Sequence, residues 1–133
     1  MNGTKRPQVL LADDYPSLHN ALTRLLTISC DVVGQAVDGL EAVESARRLQ
    51  PDVVVLDVLM PGLNGLDACR EIKSAAPGAH VIVITAADDA DLAAQALEAG
   101  AAALIHKFRV ATDLLPAIEG LMTRPPVPPR AAT

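Results

Sequence analysis

PDVVVLDVLMPG, residues 51–62, runs four aliphatic side chains, Val53 to Leu56, straight into Asp57. An unbroken run of Val and Leu reads as a strand covered on both faces. A carboxylate at the end of such a strand loses hydration, so it must be paired, bound to a cation or engaged in chemistry.

The rest of the chain decides what surrounds that strand. At 133 residues it is sized for one domain with a single core. Half of it is hydrophobic but only 2% aromatic, so the core must come from Val, Leu, Ile and Ala. A net charge of −5 argues against direct nucleic-acid binding, which needs a basic surface. Cys30 and Cys69 lack CxxC spacing and nearby His ligands, and read as reduced thiols. No secretory signal fits the N-terminus and no apolar run is long enough to span a membrane, so a soluble, cytoplasmic protein is expected.

Short apolar runs alternate with helix-period segments five times. The strands are expected at 9–12, 32–37, 53–56, 80–85 and 102–106. The helices between them carry Leu18, Leu22, Leu25 and Leu26; then Ala42, Val43, Ala46 and Leu49; then Leu66, Cys69 and Ile72; then Leu92, Ala96 and Leu97. Asp38, three residues before Glu41, and Asp88 are expected N-caps, and Gly100 a left-handed helix end. Thr112 or Asp113 is expected to open a last helix with Leu114, Ile118 and Leu121, with Pro116 about its first turn. The pattern predicts an α/β fold, a parallel sheet with helices on both faces. Residues 1–122 form the expected domain, and 123–133 a proline-rich tail or linker.

In a parallel sheet all strands end at one edge, where ligand sites form. Here Asp13 and Asp14 follow the first strand, Asp57 ends the third, Thr85 ends the fourth and Lys107 follows the fifth. Taken singly, each has an ordinary reading as cap, turn residue or solvated charge; five at one edge make a site. Crowded carboxylates call for a cation or raised pKa values, and oxygen ligands with room for water suit Mg²⁺. Phosphoryl transfer needs positioning and charge neutralisation, which these groups supply. Asp57, coming directly off the central strand, is the candidate nucleophile.

With VLLADDYPSL, VVVLDVLMPGLNGLD, VIVIT and Lys107 in this order, the sequence resembles the receiver domain of two-component response regulators over residues 8–122. LLADDYPSL and VVGQAVDGLEAV look most like receivers that precede helix-turn-helix DNA-binding domains. The resemblance implies a flavodoxin-like, doubly wound five-stranded sheet of order 2-1-3-4-5. It implies that Asp57 accepts a phosphoryl group from a sensor histidine kinase and that the domain then switches conformation to control an output. Asp14, Asp57 and the Leu59 backbone carbonyl would ligate Mg²⁺, with Asp13 acting through water, while Thr85 and Lys107 grip the phosphoryl oxygens. A homodimer, and a DNA-binding output domain beyond the tail, are further partners it leaves open.

Three departures from the family pattern stand out. Leu104 stands where an aromatic usually switches, so a weaker or differently routed change is expected. Phe108 replaces a common proline after the lysine and is expected over the site or at an interface. Leu59 and Ala87, beside the path of attacking water, cannot orient it, which predicts a long-lived phosphoryl group. The three histidines, His19, His80 and His106, are expected at the surface or at helix ends. Two alternatives compete: a phosphorylation-independent docking module, and a haloacid-dehalogenase-type phosphatase. The latter wants a second Asp two residues after the nucleophile, where this chain has Leu59.

Overall fold

A computed structural model of the chain describes residues 6–58, 64–86 and 90–126. In chain order the elements are β1 (Gln8–Ala12), α1 (Pro16–Leu26), β2 (Asp31–Ala36), α2 (Gly39–Leu49), β3 (Val53–Asp57), α3 (Gly65–Ala75), β4 (His80–Thr85), α4 (Ala90–Glu98), β5 (Ala103–His106), a 3₁₀ turn (Lys107–Arg109) and α5 (Val110–Leu121). All strand pairings are parallel and the order is β2-β1-β3-β4-β5, the flavodoxin-like arrangement expected.

Alternation along the strands sorts the core into two layers. Leu10, Val54, Leu56, Val81 and Val83 pack with α2, α3 and α4. Val9, Leu11, Val53, Val55, Ile82, Ile84 and Ile105 pack with α1 and α5. Cys69 lies in the first layer and Cys30 in the second, so the sheet separates the two buried thiols and both are free.

Local chemistry fixes the helix ends. Asp38 Oδ1 accepts the Glu41 N–H at 2.7 Å, and Glu41 Oε1 accepts the Val37 N–H at 2.8 Å, a reciprocal cap at the start of α2. Gly100 ends α4 with φ of +102°, as expected. A Cβ on Gly65, the first residue of α3, would fall 2.5 Å from the Val58 carbonyl oxygen. The final glycine of the D-x-x-M-P-x-x-x-G pattern is therefore what lets α3 press against the backbone next to Asp57.

Several expectations need correction. α5 begins at Val110, because a 3₁₀ turn leads straight into it; Pro116 thus lies in its second turn. Losing that N–H costs about 3 kcal/mol in a helix interior, offset here by the burial of Leu114, Ile118 and Leu121. Leu97 is 55% exposed: Ala96 takes the inward position of α4, Ala99 is buried just past its end, and Leu97 sits about a hundred degrees round from Ala96. Val37 is an exposed residue beyond β2. His80 is buried rather than superficial, because it opens a strand covered on both faces. The turn at Met60–Gly62 and the Asp88 cap lie outside the described residues.

Candidate functional site

The site forms at the carboxyl edge of the sheet, and ladder hydrogen bonds place its backbone. The Asp13 N–H donates to the Ala36 carbonyl at 2.9 Å, continuing the β1–β2 ladder one residue past β1. Asp57 stands opposite Ile84, whose carbonyl accepts the Val58 N–H at 3.1 Å. Thr85 pairs in register with His106, which immediately precedes Lys107. Four crossovers thus deliver residues remote in sequence to one end of neighbouring strands.

Side chains complete the convergence. Carboxylate oxygens of Asp13, Asp14 and Asp57 all lie within 4.8 Å of one another. Asp13, Asp57 and Thr85 are buried at 1%, 3% and 1% exposure, whereas Asp14 is open to solvent. Lys107 Nζ stands 3.3 Å from Asp57 Oδ2. A cavity of about 240 Å³, lined by Asp13, Asp14, His19, Asn20, Gln35 and Val37, opens onto the cluster between α1 and β2.

The electrostatics of Asp13 show the strain of this crowding. Burial raises its pKa first; the Tyr15 N–H, donating to Oδ1 at 3.0 Å, pulls it down, and the Asp57 carboxylate pushes it up again. Its other oxygen, Oδ2, is buried with no hydrogen-bond partner among the described residues. Two adjacent carboxylates have no proton to share when both are ionised, so this orphaned oxygen and its acidic neighbours fit a hard divalent cation.

Asp13, Asp14, Asp57, Thr85 and Lys107 are all at this edge, as the sequence suggested; Leu59 and Ala87 lie outside the described residues. Leu104 is partly buried against the layer that includes α4. Phe108 is 86% exposed, with its ring centroid 5.0 Å from that of His106. One feature was not foreseen: His106 caps the 3₁₀ turn, its Nδ1 accepting the Phe108 N–H at 3.3 Å. Histidine is not among the usual capping residues, so nothing in the sequence signalled it.

The family model for the response regulator receiver domain matches residues 9–119. A protein-glutamate methylesterase/protein-glutamine glutaminase from Myxococcus xanthus is 45% identical over 111 residues, which are 80% of this chain and 31% of that enzyme. A LuxR-family response regulator from Aurantimonas superposes with a TM-score of 0.84 at 30% identity, covering 90% of this chain and 86% of that one. CheY from Borrelia burgdorferi, solved with CheX, BeF₃ and Mg²⁺, gives 0.82 at 28% identity, covering 88% and 90%. The chain spans between 30% and 57% of the length of the first curated relatives it matches. It belongs to the response regulator receiver domains, the signalling modules of two-component systems.

Proposed function

We propose that Asp57 accepts a phosphoryl group from the phosphohistidine of a sensor kinase, in a Mg²⁺-dependent reaction, and that the domain switches conformation in response. The observation that carries this reading is the convergence of Asp13, Asp14 and Lys107 on the Asp57 carboxylate. One oxygen of Asp57 forms the P–O bond as the P–N bond breaks, and the electron pair leaves with the imidazole nitrogen. Asp14, Asp57 and the Leu59 carbonyl would hold Mg²⁺ directly, with Asp13 acting through water; the ion supplies charge neutralisation for the phosphoryl oxygens. Lys107, already beside Asp57, neutralises a further oxygen, and the Thr85 hydroxyl donates to another.

Shifting a two-state equilibrium from 1:99 to 99:1 takes about 5.5 kcal/mol. Charge-assisted hydrogen bonds contribute roughly 1.5–3 kcal/mol each, so contacts of Thr85 and Lys107 to the phosphoryl oxygens supply part of that, less what Lys107 already gains beside Asp57. Leu104 offers no aromatic to follow Thr85, which favours a smaller or differently routed change. A cytoplasmic location follows from a kinase partner. An output domain or a second copy of the chain would read the switch.

The test is intact-protein mass spectrometry after incubation with Mg²⁺ and acetyl phosphate. One added phosphoryl, abolished by EDTA and by Asp57→Asn, is expected. A folded protein that gains none would favour the phosphorylation-independent docking module.

A further inference from the structure

The geometry points to His106 as a positioning residue: its imidazole caps the turn that carries Lys107 and thereby sets where the ammonium stands relative to Asp57. This rests on the reading of Asp57 as the phosphoacceptor.

Lys107 is the first residue after β5, and it is also the first residue of the 3₁₀ turn. Its backbone direction therefore depends on how that turn is started. His106 starts it from an extended conformation, φ −71° and ψ 141°, with Nδ1 accepting the Phe108 N–H. The bond closes a small ring of atoms around Lys107, since donor and acceptor belong to the residues on either side of it. An acceptor at Nδ1 requires the proton to sit on Nε2, so one tautomer is selected.

Two further contacts involve His106. Its ring lies beside that of Phe108, centroids 5.0 Å apart and tilted by 31°. The main chain of His106 is paired with Thr85 across β4 and β5. His106 thus borders both site elements, through its backbone pairing with Thr85 and through its cap on the turn that begins with Lys107. Without the acceptor, the Phe108 N–H turns to water and the turn carrying Lys107 gains freedom. The entropy of ordering Lys107 is then met at the moment of phosphorylation instead of during folding.

The test compares wild type with His106→Ala, His106→Asn and Phe108→Ala, titrating beryllofluoride with Mg²⁺ and following the ¹⁵N-labelled amides of Thr85 and Lys107. Loss of one hydrogen bond predicts about threefold to tenfold weaker binding for His106→Ala, with its melting temperature little changed. Asparagine, whose Oδ1 can accept the same N–H, is expected to restore binding, and Phe108→Ala, which keeps that N–H, to bind like wild type. His106→Phe keeps a ring but no acceptor; it is expected to match the alanine variant, and replaces it should that one not fold. Side-chain ¹⁵N shifts of wild-type His106 should show the Nε2-protonated tautomer. Wild-type binding by His106→Ala, or failure of asparagine to rescue, overturns the positioning role while leaving Asp57 its own. A wild-type protein that neither binds beryllofluoride nor takes phosphoryl from acetyl phosphate overturns both.

Discussion

Lys107 Nζ lies 3.3 Å from Asp57 Oδ2, joining a side chain 24% exposed to a carboxylate only 3% exposed. The pair places a single positive charge against three crowded carboxylates, so Lys107 and a bound cation relieve the same excess.

Removing that charge should therefore make the fold lean on metal. Lys107→Ala is expected to lose about 1–3 kcal/mol in EDTA, less than for a fully buried pair because the lysine is partly solvated. Mg²⁺ should raise its melting temperature by more than it raises that of wild type. Equal metal-induced shifts would show that lysine and cation do not share a role.

Asp13 makes the complementary case. Burial and then Asp57 raise its carboxyl pKa, so the charged form is disfavoured in the native state. The resulting contribution to stability is present below the unfolded value of 3.8 and is lost as pH rises through the higher native value. At neutral pH without metal, Asp13→Asn should be more stable than wild type by about 1 kcal/mol, the size of an ordinary single-site effect. Its response to Mg²⁺ should shrink. Thermal melts at pH 4 and pH 7 check both points, with the advantage of the variant confined to the higher pH.

His80 predicts acid sensitivity at the opposite edge of the sheet. Burial lowers its pKa first, then the nearby Lys73 ammonium; a hydrogen bond to the Arg124 backbone and the Asp52 carboxylate pull the other way. The unfolded imidazole takes its proton near pH 6.5, the native one only below that. Between those values the unfolded chain binds more protons, so stability falls as pH drops through the window. His80→Gln should flatten that part of a denaturation-midpoint profile against pH. An unchanged profile would place the sensitivity elsewhere.

Gly100 should tolerate no side chain. Its φ of +102° is unfavourable for any L residue, and a Cβ there would meet Lys73 Cγ at 2.9 Å. Lys73 cannot move aside freely, since its ammonium donates to the Ala79 carbonyl at 2.7 Å and the Pro77 carbonyl at 3.1 Å. Gly100→Ala is expected to cost about 1–3 kcal/mol in urea unfolding, combining backbone strain with a displaced buried lysine. A smaller loss would mean that the Lys73 stem relaxes.

Much of this could be read from residue order. Val runs flanked by turn residues marked the central strands, and charges beginning where those runs stop marked the site. What escaped was governed by tertiary contacts. Leu97 looked inward because four of the nine residues of α4 are alanine, and a stripe of small residues defines its inner face poorly. The start of α5 was misplaced because no Gly, Pro or Asx punctuates the 3₁₀ turn; an imidazole does that work. Lys73 and His80 gave no sign of burial, since charged and titratable residues are ordinarily at the surface, and only the carbonyls around Lys73 explain its place.

The alanine content of α4 has one further consequence. Of its nine residues only Ala96 is buried, whereas α5 sinks Leu114, Ile118 and Leu121 into the opposite layer. Detaching α4 exposes little apolar surface, at roughly 25 cal/mol per Å², so its opening free energy should be the lowest of the five helices. Amide hydrogens of α4 should exchange with deuterium well before those of α5. The sheet and its α1–α5 face would then act as a fixed frame, with the cheapest local unfolding concentrated beside Leu104 and the Thr85 strand end.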